Sequence, residues 1–155
     1  MELFREFAVA LSIGLLIGFE RGWRGRMAEE GQRIAGVRTF GLISLLGAVW
    51  TLLGEELGEI VLGFGFLGFA GVAIAAHIVG IGRARDYGIT TIVAALLTFA
   101  LGGLAVRGHM SVAAAVAVVS TLLLGLKPEL HRWLRHVEKK ELFAALKLLL
   151  ISVVL

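Results

Sequence analysis

Few residues in this chain of 155 could do chemistry, and those that could stand at the margins of long apolar runs. The densest group is a charged hinge that opens Gly18-Phe19-Glu20-Arg21-Gly22-Trp23-Arg24-Gly25-Arg26 and closes Gly36-Val37-Arg38-Thr39-Phe40. Residues 3–19 to its left and 36–54 to its right are almost uninterrupted grease. A carboxylate or guanidinium at a membrane edge is expensive alone and far cheaper when paired. Glu20 ends the first run and Arg38 begins the second, so the two should stand at one level, within reach of an ion pair. Such a pair is either a clamp fixing two helices or a site for an ion, an anionic head group or a partner; we favour the clamp. Arg21, Arg24 and Arg26 read as topology determinants facing water and lipid phosphate, with Trp23 among them as an interfacial anchor.

The remaining candidates are sparser. His77 lies deep in the third apolar run, where a histidine can relay protons but more often bonds a neighbouring helix. No second histidine or carboxylate shares that run, which favours the bonding role. Thr90, Thr91 and Thr98 begin and line the fourth run, and Ser120 and Thr121 lie in the fifth. Hydroxyls can bond their own helix backbone, so only a cluster facing one interior would make a polar path. Cysteine is absent, which excludes disulfides and thiolate metal sites. No nucleophile-base-acid arrangement and no clustered set of metal ligands appears. Gly63-Phe64-Gly65 is not a dinucleotide fingerprint, because no strand precedes it. Neither an enzyme nor a cofactor is expected.

The elements that position these residues follow from composition. Hydrophobic residues make up 58% of the chain, against roughly 45–50% in soluble proteins. The mean hydropathy is +0.90, and the excess is gathered into blocks. An integral membrane protein follows. The expected fold is all-α, a polytopic transmembrane bundle with five full spans at residues 3–19, 36–54, 60–82, 88–106 and 110–126. An incomplete sixth runs from 142 to 155. The runs lack period-two alternation, which argues against a β-barrel. Many of the 21 glycines fall inside the runs. Gly14 and Gly18 form a GxxxG pair, and Gly63, Gly65, Gly68 and Gly71 recur in the third run. Small residues let membrane helices approach closely, so these are expected packing surfaces, within the chain or between subunits.

Charge sets the expected orientation. The first connection carries Arg21, Arg24, Arg26, Arg33 and Arg38; the second carries Glu55, Glu56 and Glu59 with no basic residue. The third holds Arg83 and Arg85 with Asp86, the fourth only Arg107 and His109, and the segment after the fifth run Lys127, Arg132, Arg135, Lys139 and Lys140. Basic residues concentrate in every second connection, as the positive-inside rule requires. The N-terminus is thus expected outside and the 127–141 segment in the cytoplasm. The net charge of +3 arises in these connections and does not make a nucleic-acid surface. The N-terminal residues lack a net positive region and a cleavage site, so the first run reads as retained.

Three segments result: a membrane domain over 1–126, a basic segment over 127–141, and a hydrophobic start over 142–155. In the second, Leu130, Trp133, Leu134 and Val137 recur near helical spacing among basic residues. It reads as an interfacial helix facing anionic lipid in preference to a solvated linker. The last run stops without a polar flank, which fits a piece of a longer chain or a short sixth helix.

The hinge has a further property. Leu15-Leu16-Ile17-Gly18-Phe19-Glu20-Arg21, a short Arg- and Gly-containing loop, Gly36-Val37-Arg38-Thr39-Phe40 and Ser44-Leu45-Leu46-Gly47-Ala48 together resemble the N-terminal membrane domain of the MgtC/SapB family. Gly63-Phe64-Gly65-Phe66-Leu67-Gly68 and Gly88-Ile89-Thr90-Thr91 resemble that family's third and fourth spans, in the right order. The resemblance covers residues 3–126. It implies a five-helix bacterial inner-membrane domain with an outside N-terminus, and a link to magnesium limitation and virulence-associated growth. It also implies a connection with the proton-translocating ATP synthase. It marks Glu20, Arg21, Gly36, Arg38, Thr39, Thr90 and Thr91 as positions to watch. No soluble regulatory domain follows the fifth run here; the arrangement is more similar to members fused to further membrane helices. The leading expectation is a protein of magnesium, ion or membrane-energy homeostasis, embedded in lipid, acting as a homo-oligomer or by binding another membrane protein. A small transporter or channel subunit, with a path through Thr91, Thr98, Ser120 and His77, is the alternative. An anchor for a missing C-terminal part is a third.

Overall fold

A computed structural model of the chain describes residues 1–24, 36–81, 89–126 and 139–154, and every regular element among them is an α-helix. The helices are α1 (Glu2–Arg24), α2 (Val37–Leu57), α3 (Glu59–Ile81), α4 (Ile89–Val106), α5 (Met110–Gly125) and α6 (Lys139–Val154). Two compact units result, Met1–Leu124 and Gly125–Leu155. α6 belongs to the second.

In the first unit, α1 buries Ala10, Ile13, Gly14, Ile17 and Gly18. That spacing of three and four residues makes one helical face. The face meets α2 running the other way. A Cβ added at Gly14 would lie 2.5 Å from the Phe40 carbonyl oxygen, and one at Gly18 2.8 Å from the Val37 Cα. The Ser44 hydroxyl, fully buried, donates to the Ala10 carbonyl at 2.5 Å. α1 and α2 therefore touch backbone to backbone over more than two turns, as the GxxxG pair requires.

α2 and α3 are joined by a single residue. Gly58 adopts φ +107, a conformation open to glycine because it has no Cβ, and its N–H donates to the Gly54 carbonyl. So abrupt a turn folds α3 back along α2. There the Trp50 indole N–H donates to the Val61 carbonyl at 2.9 Å, and its ring covers the bare backbone of Gly65. α4 lies against α2 across Gly47, Gly102 and Gly103, whose absent side chains leave room for Phe99, Ser44 and Thr51 respectively. Phe99, buried in this core, also stacks on Phe69 of α3 with ring centroids 5.0 Å apart. Gly108, at φ +80, turns the chain from α4 into α5. α5 buries only Ala113 and Ala117.

The expectation of five full spans and a sixth is corrected here. Among the described residues three helices are long and apolar enough to cross a membrane: α2, α3 over Glu59–Val79, and α4. α1 has the length, at 23 residues, but not the composition. Glu6 and Glu20 leave only the apolar stretch 7–19 between them, which rises about 20 Å. α5 has 16 residues, which rise about 24 Å against a hydrocarbon core of about 30 Å. In the last helix the apolar part is confined to Phe143–Ser152. Charges inside α1 shorten its greasy length, whereas α5 falls short by residue count alone.

Candidate functional site

The polar residues of the first unit gather at three levels. At the hinge end, Glu20 and Arg21 are both about nine-tenths buried, and the Arg21 Nε–H donates to Glu20 Oε2 at 2.5 Å. An Arg21 Nη2–H also donates to the Leu124 carbonyl of α5 at 3.5 Å. The expected Glu20–Arg38 pair is replaced by this one: Arg38 and Thr39, in the first turn of α2, are exposed. The reason is rotational. α2 turns Val37, Phe40 and Gly41 towards α1, and Arg38 falls on the other side of that face. Phe19 and Trp23, one turn apart and exposed, stack at 6.3 Å on the outer side of the same end. The positions of Arg26 and Arg33, and the basic segment 127–138, lie outside the described residues.

At the opposite end, Arg107 closes α4 onto the junction of α2 and α3. Its Nε is 3.3 Å from Glu55 Oε1, and its Nη2 is 4.0 Å from Glu59 Oε1. In the sequence these three stand only as orientation signals. Their charges alternate too far apart in the chain, 55 with 107, for spacing to reveal the contact. All three side chains are more than a third exposed, so the bridge contributes no more than about 1 kcal/mol. Arg107→Ala should lower unfolding stability by at most that amount, an effect that fades as salt rises from 0.05 to about 0.5 M. A salt-independent loss would point to the arginine's aliphatic stem instead.

Between the ends the polar groups are spent internally. Thr98 is fully buried and donates to the Ala94 carbonyl of its own helix at 2.6 Å. Ser120 and Thr121 likewise bond back to Val116 and Ala117 on α5. Thr90 and Thr91 are half-buried in the first turn of α4. His77 is not deep: it lies four residues before the end of α3, half-buried. Among the described residues no buried side-chain nitrogen or oxygen lacks a partner, and no three His, Asp or Glu stand together as metal ligands.

The glycines divide in two. Gly14, Gly18 and Gly65 are pressed against neighbouring helices, whereas an added Cβ at Gly63, Gly68 or Gly71 would meet nothing within 4 Å. The third span's glycine stripe thus turns outward, Gly65 excepted. Gly47, Gly102 and Gly103 make the close α2–α4 crossing; Gly47 stands within the Ser44–Ala48 motif, but nothing there marks it as a contact. The Gly102-Gly103 doublet inside an apolar run was the available signal.

Residues 7–133 match the model of the MgtC family. The chain belongs to the MgtC family. It is a membrane-associated protein of that non-enzymatic family. The match runs from α1 through α5 and ends at residue 133, short of α6. Neither a curated protein nor a solved structure matches the chain.

Proposed function

We propose that this MgtC-family protein serves magnesium, ion or membrane-energy homeostasis by holding a partner in the bilayer, a second copy or another membrane protein. The supporting observation is the sealed interior of the first unit. Among the described residues every buried side-chain nitrogen and oxygen is hydrogen-bonded, and the Thr98, Ser120 and Thr121 hydroxyls are each turned onto a carbonyl of their own helix. The α2–α4 crossing is closed by backbone atoms. By contrast, no residue of the spanning part of α3 is fully buried, and a Cβ added at Gly63, Gly68 or Gly71 would meet nothing within 4 Å, so that outer face is free for lipid or for another helix. The protein sits in the bacterial inner membrane with the Arg21–Arg38 end in the cytoplasm and the Glu55–Arg107 end outside. Because α1 runs antiparallel to α2, the N-terminus then lies outside.

Flux through the purified protein in lipid vesicles tests the reading. Magnesium, potassium, sodium and proton fluxes should match those of empty vesicles. A flux carried by the wild type and lost in His77→Ala would replace the binding module with a transporter.

A further inference from the structure

α5 is the least anchored helix of the first unit. Its inward face carries Ala113 and Ala117, one turn apart, and these are its only buried residues. Alanine buries little surface, so apolar contact holds this helix weakly. Continuing that face by one more turn from Ala117 and then Thr121 reaches Leu124, whose carbonyl is one of the last four of α5. Such carbonyls have no N–H partner in their own helix and carry its partial negative charge. The Arg21 guanidinium, from the far end of α1, donates to this one.

Glu20 explains how Arg21 comes to point there. Side chains adjacent in sequence diverge by about 100° around a helix and do not ordinarily face each other. Here the two meet at 2.5 Å, with 12% and 10% of their side chains exposed. A guanidinium has five donors in a fixed fork. With Nε held by Glu20, the Nη2 edge is turned across the bundle to α5. The first compact unit ends at Leu124, and the chain passes into the second at Gly125. Arg21 therefore grips the last residue of the first unit.

We infer that Glu20 and Arg21 form a latch that fixes the C-terminal end of α5 to α1. Glu20 aims the guanidinium, and the Leu124 carbonyl receives it. Loss of the latch frees the end of α5 while the α1–α2–α4 core, joined by backbone contacts, persists.

The chain has no cysteine, so spin labels can be placed at will. One pair at Leu16→Cys and Leu123→Cys reports α1 to α5; a second at Leu16→Cys and Leu42→Cys reports α1 to α2. All three positions are exposed. Distances are measured by pulsed electron resonance on the full chain in lipid nanodiscs. Arg21→Gln should widen the α1–α5 distribution at least twofold and leave the α1–α2 distribution unchanged. Glu20→Gln should widen it as well, by less. An unchanged α1–α5 width in Arg21→Gln overturns the latch, and so does equal widening of both pairs, which would reduce Arg21 to a general support of the fold. If Arg21→Gln does not fold, Arg21→Lys is measured in its place. It keeps the charge and loses the fork, and an α1–α5 width equal to wild type would again overturn the proposal.

Discussion

Gly47→Ala and Gly102→Ala should each destabilise the bundle by about 3 kcal/mol, the upper part of the usual range for overpacking. At Gly47 an added methyl would overlap the Phe99 carbonyl, and at Gly102 the Ser44 carbonyl. Both obstacles are backbone atoms. They cannot rotate away as a side-chain tip could, so α4 must move off α2 as a body. Reversible unfolding in detergent measures the loss. The two substitutions act on one crossing, and a single separation of the helices relieves both. The double variant should therefore cost less than the sum, with a coupling of about 1 kcal/mol or more. Strict additivity would mean that the two sites yield independently. Gly63→Ala, Gly68→Ala and Gly71→Ala serve as controls. Their added methyls meet open space, and alanine is the better helix former, so stability should stay the same or rise slightly.

A comparable effect is expected where α3 docks on α2. Gly65→Ala drives a methyl into the Trp50 indole, which is tied to the Val61 carbonyl. To make room the indole must swing out and give up its hydrogen bond. The combined loss should be about 2–3 kcal/mol. In a chain carrying Trp23→Phe and Trp133→Phe, Trp50 is the only tryptophan left. Its quenching by brominated lipid should rise as the ring leaves the helix interface. The decisive comparison is made with Trp50→Ala. Once the ring is gone the added methyl has space, and Gly65→Ala should then cost less than about 0.5 kcal/mol. A cost independent of residue 50 would locate the conflict elsewhere.

These two expectations mark where sequence and structure diverge. In α1 the pattern was legible: Gly14 and Gly18, four apart among apolar residues, do form a helix–helix contact. In α3 the same type of pattern misled in part. A small residue permits close approach without specifying whether anything approaches, so Gly65 is covered while Gly63, Gly68 and Gly71 are bare. The Glu20–Arg38 pairing failed for a related reason. Level along the membrane normal follows from counting residues, but rotation about the helix axis does not. One residue of rotation, about 100°, separates the inward Val37 from the exposed Arg38.

By itself the sequence determined that the chain is helical and belongs in a membrane, because blocks of apolar residues without alternation have no other stable solution. It also determined the family, through an ordered set of local motifs, and the opposition of a basic end to an acidic one. Only the tertiary structure decided which charges meet. Glu20 turns to its neighbour Arg21, Arg21 reaches across more than a hundred residues to Leu124, and Arg107 reaches Glu55. It also decided that, among the described residues, α2, α3 and α4 alone meet the length and composition of a span. Composition fixes what a helix must avoid, namely water on its apolar surface. Which neighbour satisfies that requirement depends on helix rotation and on backbone atoms within a few ångströms, and both are properties of the packed bundle.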